Sequence, residues 1–571
     1  MNPIPCSRRV FVFALALLLL SVIAMAQSGS NDLTAKVDKI FAAFDKPDSP
    51  GCALAVIKDS QIIYKRGYGM ADLDHDIPIK PDTPFHVASV SKQFTAFSIL
   101  LLAQQGKLSL DDKVQKYITE LREFDQPITI RHLLHHTSGL RDQWNLLIMS
   151  GTRLGEDVVR DSDILDLVSR MKELNFKPGD QHLYCNTGYT LLAYIVKRVS
   201  GQSLREFAEA NIFKPLGMTR TIFRDDHAII VKNQAYAYNP GPAGTFKLSV
   251  PNYDTVGPSS LVTTVEDLAR WDQNFYDKKV GGDWVIEQMQ IRGQLNDGEQ
   301  IPYARGLVVG SYKGLKVVEH SGSDAGYRSH LMRFPDQRFS VACLCNRGAN
   351  PPLYARQVAD VYLASVLTPT PIKPTSAPVA AVTLSEQELN SKVGAYWDAR
   401  TEEIARVSQR DGKLSILVAE LLNNATFVPV DANHFRISEL PGEAVVAAVE
   451  AVFESSPQGA ALRLTLTAPG RPPLKLDAMP PPDTSKLAEY EGTYYSEEID
   501  ATYCVTLKDG NLVVTRKKFA PTQLTPRFRD GFGTSSILGT FRFTRDAQNR
   551  VNGFRLSAGR IRNFLFVKQV R

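Results

Sequence analysis

Residues 52–69, CALAVIKDSQIIYKRGYG, read as two short strands joined at Asp59-Ser60. A compact apolar run, a turn pair and an alternating run follow one another, the pattern of a strand pair. Strand character then vanishes for more than two hundred residues. It returns after residue 305 in GLVVG, LKVVEH, YRSHLMRF and RFSVACLCN, before the closing helix PPLYARQVADVYLASVL. The span between, from about 90 to 275, is mostly helical in pattern. TGYTLLAYIVKRVSG is the clearest case: Leu191, Leu192, Ile195, Val196 and Val199 share one face, and Gly201 marks the C-terminal stop. Ser203 and Glu206 then form a capping box for the next helix. Strands from both ends of the span, enclosing a helical insert, predict an α/β (α+β) domain over residues 30–367. It consists of one antiparallel sheet with packed helices and an all-helical insertion.

Two proline-rich breaks follow. TPTPIKPTSAP at 368–378 cannot hold a helix or a central strand, and residues 368–380 read as a semi-rigid linker. The second break is Pro480-Pro481-Pro482. Around it runs a repeat. Leu389, Gly394, Tyr396, Asp411, Gly412 and Leu414 recur 98 positions later as Leu487, Gly492, Tyr494, Asp509, Gly510 and Leu512. In each copy, alternating runs (VSQRDGKLSI and VTLKDGNLVV) flank an Asp-Gly turn, a strong hairpin signal. Two antiparallel β-barrel-like domains are expected, at 381–479 and 484–571.

The 571 residues are 43% hydrophobic and 22% charged, with net charge +5. That is ordinary globular composition, and its dispersed basic residues carry no nucleic-acid signature, which argues against nucleic-acid binding. Arg8 and Arg9 precede the apolar run VFVFALALLLLSVIAMA, which ends on Ala24-Met25-Ala26. Residues 1–26 therefore read as a signal peptide cleaved near Ala26, and export to the periplasm or medium is expected. An uncleaved N-terminal anchor is the rival reading, since 17 apolar residues approach the length of a span. The mature chain carries +3 and no further segment able to cross a membrane. Cys52, Cys185, Cys343, Cys345 and Cys504 remain. Their number is odd and no C-x-x-C pair exists, so neither a disulfide framework nor a zinc site is indicated, and most are expected to be buried apolar residues. Export permits a disulfide without demanding one.

Three motifs bear chemistry. Ser89-Val90-Ser91-Lys92 opens the helix that continues through QFTAFSILLLAQQG, so the lysine amine sits one turn from the Ser89 hydroxyl. A serine becomes a nucleophile when a nearby base takes its proton, and a buried lysine with a lowered pKa can do so. Tyr184-Cys185-Asn186 precedes the helix at 187, placing a phenol and an amide at its start. His320-Ser321-Gly322 ends the strand LKVVEH, where a glycine lets another backbone approach. Singly, each motif fits surface or core roles equally well. His132 and His136 have the spacing of a helical metal pair, but HLLHH lacks the glutamate of the zinc-peptidase motif, so no metal is expected.

Together and in order, these segments resemble the serine β-lactamase and penicillin-recognising family, in its class C β-lactamase, DD-carboxypeptidase and D-aminopeptidase branch. FHVASVSKQF, LLHHTSGL, FKPGDQHLYCNTGYTLLAYIV, GPSSLVTTVEDLARW and EHSGSDAGY carry the likeness, which runs from about 33 to 366. The resemblance implies Ser89 as the acylated nucleophile, Lys92 as its base and Tyr184 as proton shuttle. It implies that Asn186 positions the substrate amide, and that His320, Ser321 and Gly322 line the strand facing the substrate's far end. The backbone N–H groups of Ser89 and Ser323 would form the oxyanion hole. No cofactor or metal is implied.

His320 and Ser321 stand where the β-lactamases carry lysine and threonine. That puts β-lactam hydrolysis in doubt and favours peptidase and esterase members. A histidine of ordinary pKa, about 6.5, would offer a substrate carboxylate its charge only below that pH. The expected activity is that of an exported serine hydrolase, working through an acyl-enzyme on a small amide, peptide or ester. The alternatives are a β-lactamase and a penicillin-recognising sensor that does not turn over. D-Aminopeptidase-like members also carry two β-barrel modules, which fits the repeat. These could restrict the cleft, bind cell-wall polymer or join subunits, and nothing in the sequence separates the three.

Overall fold

In a computed structural model, the chain is described over residues 32–368, 382–418, 422–439, 449–455, 462–468, 472–534 and 538–569. Residues 1–26, read as a signal peptide, and all but the first residue of the expected linker at 368–380 lie outside these. Among the described residues, no helix is long and apolar enough to cross a membrane.

The chain divides into two compact units. The first comprises residues up to Gly139, Leu154–Ser169 and Phe176–Pro369. Its centre is a six-stranded antiparallel sheet in the order Val308–Tyr312, Leu315–Asp324, Tyr327–Phe334, Phe339–Cys345, Cys52–Lys58, Gln61–Tyr68. The N-terminal hairpin thus joins strands nearly three hundred residues away, Cys52 opposite Cys345 and Lys58 opposite Phe339. CALAVI is apolar throughout because it is a central strand covered on both faces. QIIYKRGY alternates because it is the edge. Asp59 and Ser60, with φ +50° and +65°, make the tight turn between them.

On one face, the helix at 32–41 and the helix Pro351–Tyr362 pack Val37, Phe41, Ala355 and Val358 against Leu54, Val56 and Val341. The helix Val265–Asp277 covers the other face, where its buried Asp272 accepts bonds from Arg333 (2.6 Å) and Ser340 (2.8 Å). The insertion is built around the buried helices Lys92–Gln104 and Asn186–Ser200. It also carries short strands, among them Phe85–His86, Leu261–Thr263 and Ile222–Phe223, which form a small sheet of their own. The helix Asn186–Ser200 stops at Gly201 in the left-handed region, and the Ser203–Glu206 capping box is formed.

Four of the five cysteines are buried, as expected, and the disulfide that the sequence left open is formed. Cys52 and Cys345 face each other across paired strands and are disulfide-bonded. Cys185 and Cys343 are buried free thiols, and Cys504 is half-buried. Nothing in the spacing could pair two cysteines 293 residues apart.

The second unit contains two closed eight-stranded antiparallel barrels, running from Gly394–Asp398 to Leu474–Ala478 and from Gly492–Ser496 to Ile561–Lys568. The repeat residues do the same work in each. Tyr396 and Tyr494 are buried and donate to the carbonyls of Lys392 (2.8 Å) and Tyr490 (2.7 Å). Asp411-Gly412 and Asp509-Gly510 adopt positive φ in the hairpin turns, and Leu414 and Leu512 point into the cores. The stretches Leu140–Arg153 and Arg170–Asn175 also fold with this unit, although in sequence they lie within the first domain.

Candidate active site

The strand Phe85–His86 runs through Val87 into a 3-10 turn, Ala88–Ser91, and the helix Lys92–Gln104 follows directly. Ala88 sits at φ +47°, a conformation that residues with a Cβ rarely hold and that neighbouring structure must enforce. Ser91 Oγ bonds to the Ala88 carbonyl (2.5 Å) and accepts from the Leu261 N–H (3.1 Å). Ser329 Oγ donates to the Val87 carbonyl (2.7 Å). Gly322 presses on the same turn: a Cβ there would lie 2.3 Å from the Val87 oxygen and 3.1 Å from the Ala88 Cβ. The strand Leu315–Asp324 can cross the turn this closely only because position 322 has no side chain.

Lys92 is fully buried, and its Nζ is surrounded by three oxygens. It lies 3.1 Å from Ser89 Oγ, 3.0 Å from Asn186 Oδ1 and 2.8 Å from the Pro258 carbonyl. The amide and carbonyl oxygens can only accept, so each takes a proton from the amine in either charge state. Of these three oxygens, only the Ser89 hydroxyl can both donate and accept. With Asn186 and Pro258 taking protons from a neutral lysine, the lone pair can face the serine hydroxyl. This geometry aims a base at Ser89 Oγ.

Tyr184 lies over the same amine, with Nζ 4.7 Å from its ring centre, and the Tyr189 ring is 5.5 Å away. Tyr184 is braced by His136, whose ring centre is 4.1 Å from its own. His136 Nδ1 also accepts from the Cys185 N–H (3.1 Å), and its carbonyl accepts from Leu183 N–H (3.0 Å). The histidines of HLLHH therefore have separate partners. His132 closes the capping box at Thr129, His135 meets the Ile291 carbonyl at 3.3 Å, and His136 steadies the tyrosine.

Gly322 lies against the nucleophile turn, and Ser321 and Ser323 are exposed beside it. The strand Val308–Tyr312 stops pairing at Glu319, so residues 320–324 run on past that edge strand. An open edge of this kind can add an extended substrate backbone.

His320 departs from the expected titrating cation. It is buried, and both ring nitrogens are engaged, Nδ1 with the Ser321 carbonyl (2.6 Å) and Nε2 with Tyr303 Oη (3.0 Å). A carbonyl only accepts, so the proton is on Nδ1 and the tyrosine donates to Nε2. Burial, reinforced by the nearby Lys92, pushes its pKa down to about 3. The imidazole is neutral at any ordinary pH. Burial likewise holds His135 at about 3 and His182 at about 4.

The sequence-selected residues Ser89, Lys92, Asn186 and Tyr184 thus meet around one amine, and His320-Ser321-Gly322-Ser323 crosses beside them. Sequence reasoning missed Pro258, His136 and Tyr303. Pro258 contributes only a backbone oxygen, which carries no residue signature. His136 acts by ring packing and a bond from the Cys185 N–H, and Tyr303 by its hydrogen bond to His320, long-range contacts that spacing does not reveal.

The family model described as Beta-lactamase matches residues 37–364. A D-aminopeptidase of Gluconobacter oxydans is 27% identical over 480 residues, covering 83% of this chain and 84% of the relative. Penicillin-binding protein 4* of Bacillus subtilis is 32% identical over 317 residues, covering 53% of this chain and 69% of the relative. The octameric penicillin-binding protein homologue from Pyrococcus abyssi shares the fold at a TM-score of 0.53 and 23% identity, over 86% of this chain and 99% of that one. With more than half its length matched, and with a serine and a buried lysine together at the candidate site, the chain belongs to the beta-lactamase family and is a serine hydrolase.

Proposed function

We propose that this chain is an exported hydrolase of the D-aminopeptidase or DD-peptidase type, acting through an acyl-enzyme on a small amide, peptide or ester. The observation that carries this reading is the placing of the buried Lys92 amine 3.1 Å from Ser89 Oγ, with Asn186 Oδ1 and the Pro258 carbonyl as its acceptors. Lys92 takes the hydroxyl proton as Ser89 Oγ attacks the substrate carbonyl. The N–H groups of Ser89 and Ser323 receive the developing oxyanion, where preorganised donors are most effective. Tyr184 passes a proton to the departing nitrogen or oxygen, and water then releases the acid and restores the Ser89 hydroxyl. Asn186 holds both the lysine and the substrate amide, while Ser321 and Gly322 line the edge along which the substrate extends. A D-configured substrate is favoured by the Gluconobacter relative, whose likeness runs over 83% of the chain. Export rests on the N-terminal segment of the sequence.

A fluorophosphonate probe should attach to Ser89, and Ser89→Ala should abolish labelling; labelling that survives removes the acyl-enzyme reading. Turnover should then be found among D-amino acid amides, short peptides and acyl esters. Faster turnover of a chromogenic cephalosporin would mark a β-lactamase, and a penicillin adduct stable for hours a sensor.

A further inference from the structure

Beside the nucleophile turn lies a second polar cluster, which the acyl-transfer steps leave unused. Its centre is Asp324, the last residue of the strand Leu315–Asp324. His86 Nε2 lies 2.9 Å from Asp324 Oδ2, and Ser259 Oγ lies 3.2 Å from both of these atoms. Tyr253 Oη reaches the same carboxylate oxygen and lies 2.9 Å from Ser259 Oγ. A carboxylate only accepts, so His86 holds its proton on Nε2 and the Tyr253 hydroxyl turns toward Asp324. Burial raises the Asp324 pKa, but the bonds from His86, Tyr253 and Ser259 outweigh it and keep the carboxyl below its usual range. His86, Tyr253 and Ser259 are themselves buried. A buried network of this kind is stiff when all its members are satisfied.

Its members stand next to the catalytic candidates. His86 is three residues before Ser89 in the strand that enters the strained turn. Ser259 follows Pro258, whose carbonyl holds Lys92. Asp324 follows Ser323. Three non-glycine residues at positive φ, Ala88 at +47°, Ser260 at +75° and Ala325 at +46°, adjoin the cluster, so strained backbone is held in place on each of its segments.

We propose that Asp324 is a positioning residue for acylation: through His86 and Ser259 it locks three segments in one register, the Ser89 turn, the Pro258 carbonyl on Lys92 and the Ser323 end of the strand. This rests on the reading of Ser89 and Lys92 as the acylating pair. Asp324 Oδ2 is taken up by His86, Tyr253 and Ser259, so the residue acts through them. It fixes the distances at which the nucleophile, its base and the oxyanion donor meet.

The test uses the full chain and a fluorophosphonate, with kinact and KI measured separately and a thermal melt for every variant. Asp324→Asn and Ser259→Ala should each lower kinact about 10- to 100-fold, the scale of a small misplacement of reacting groups. KI should not change. The double variant should be no slower than the slower single, because both changes break the same network. Tyr253→Phe, which removes one hydroxyl, should show a smaller loss of the same kind. If Asp324→Asn does not fold, Ser259→Ala and Tyr253→Phe decide. A kinact near the parent's in those two variants overturns the proposal, as do losses confined to KI or losses that multiply in the double variant. Labelling of the parent at a site other than Ser89 overturns the acyl-enzyme reading instead.

Discussion

At the scale of single residues, the site is settled by which atoms can donate. Among the oxygens around Lys92, two can never give a proton and the third, Ser89 Oγ, can, the arrangement that the proposed role of Lys92 as base requires. His320 is settled the same way with the opposite result, since Tyr303 and the Ser321 carbonyl use both its nitrogens. With its pKa near 3, it changes charge only well below the working range. We therefore expect the ratio of kcat/KM for a substrate bearing a free carboxylate to that for its neutral amide twin to owe nothing to His320 between about pH 5 and 9. Proton losses at Lys92 and Tyr184 are common to both substrates and cancel. A ratio that falls through pH 6 to 7 in the parent but not in His320→Gln would show the imidazole titrating after all. The Ser89–Lys92 pairing was legible because three residues on a helix is a fixed distance. The charge of His320 was not, because it depends on burial and on Tyr303, 17 positions away.

At the scale of elements, the close crossing of the strand Leu315–Asp324 over the Ala88–Ser91 turn brings the open edge at residues 320–324 to Ser89. Gly322→Ala would place a methyl 2.3 Å from both the Val87 carbonyl and Ser329 Oγ. Backbone cannot yield there cheaply, so the strand should lift off the turn. We expect kcat to fall by at least about tenfold, as for any lost alignment of reacting groups, while the sheet persists. The check is kcat/KM alongside the far-ultraviolet dichroism; unchanged kinetics would mean that the strand tolerates the added methyl. Elements governed by local chemistry were readable in advance: the Gly201 stop, the Ser203–Glu206 box and the Asp-Gly turns of both barrels. The joining of the N-terminal hairpin to the late strands was also readable, from their order, but its register was not. The Cys52–Cys345 bond depends on a register between strands 293 residues apart, which an odd count of cysteines disguises.

At the scale of the whole molecule, the repeat foretold two barrels, but no motif marks Leu140–Arg153 and Arg170–Asn175 as folding with them. The reason lies in Arg141, which is buried. Its guanidinium meets Glu498 of the second barrel at 2.9 Å and Glu173 at 3.3 Å, and Arg555 pairs with Glu173 at 2.6 Å. Glu498 also accepts from the Lys172 N–H (2.8 Å), so one carboxylate fastens both stretches within the unit. Burial alone pulls the Arg141 pKa down, and the two glutamates oppose it. Removing one partner of such a pair strands a desolvated charge, a loss of about 3–5 kcal/mol, whereas replacing the pair by apolar residues of similar volume is often neutral. Glu498→Ala should therefore lower the melting temperature of the barrel unit clearly, and Arg141→Met with Glu498→Leu should recover most of it. Calorimetry on the full chain separates the outcomes. If the double substitution melts as low as Glu498→Ala, the anchorage depends on the charges themselves; if Glu498→Ala melts like the parent, Arg141 is not held by this pair.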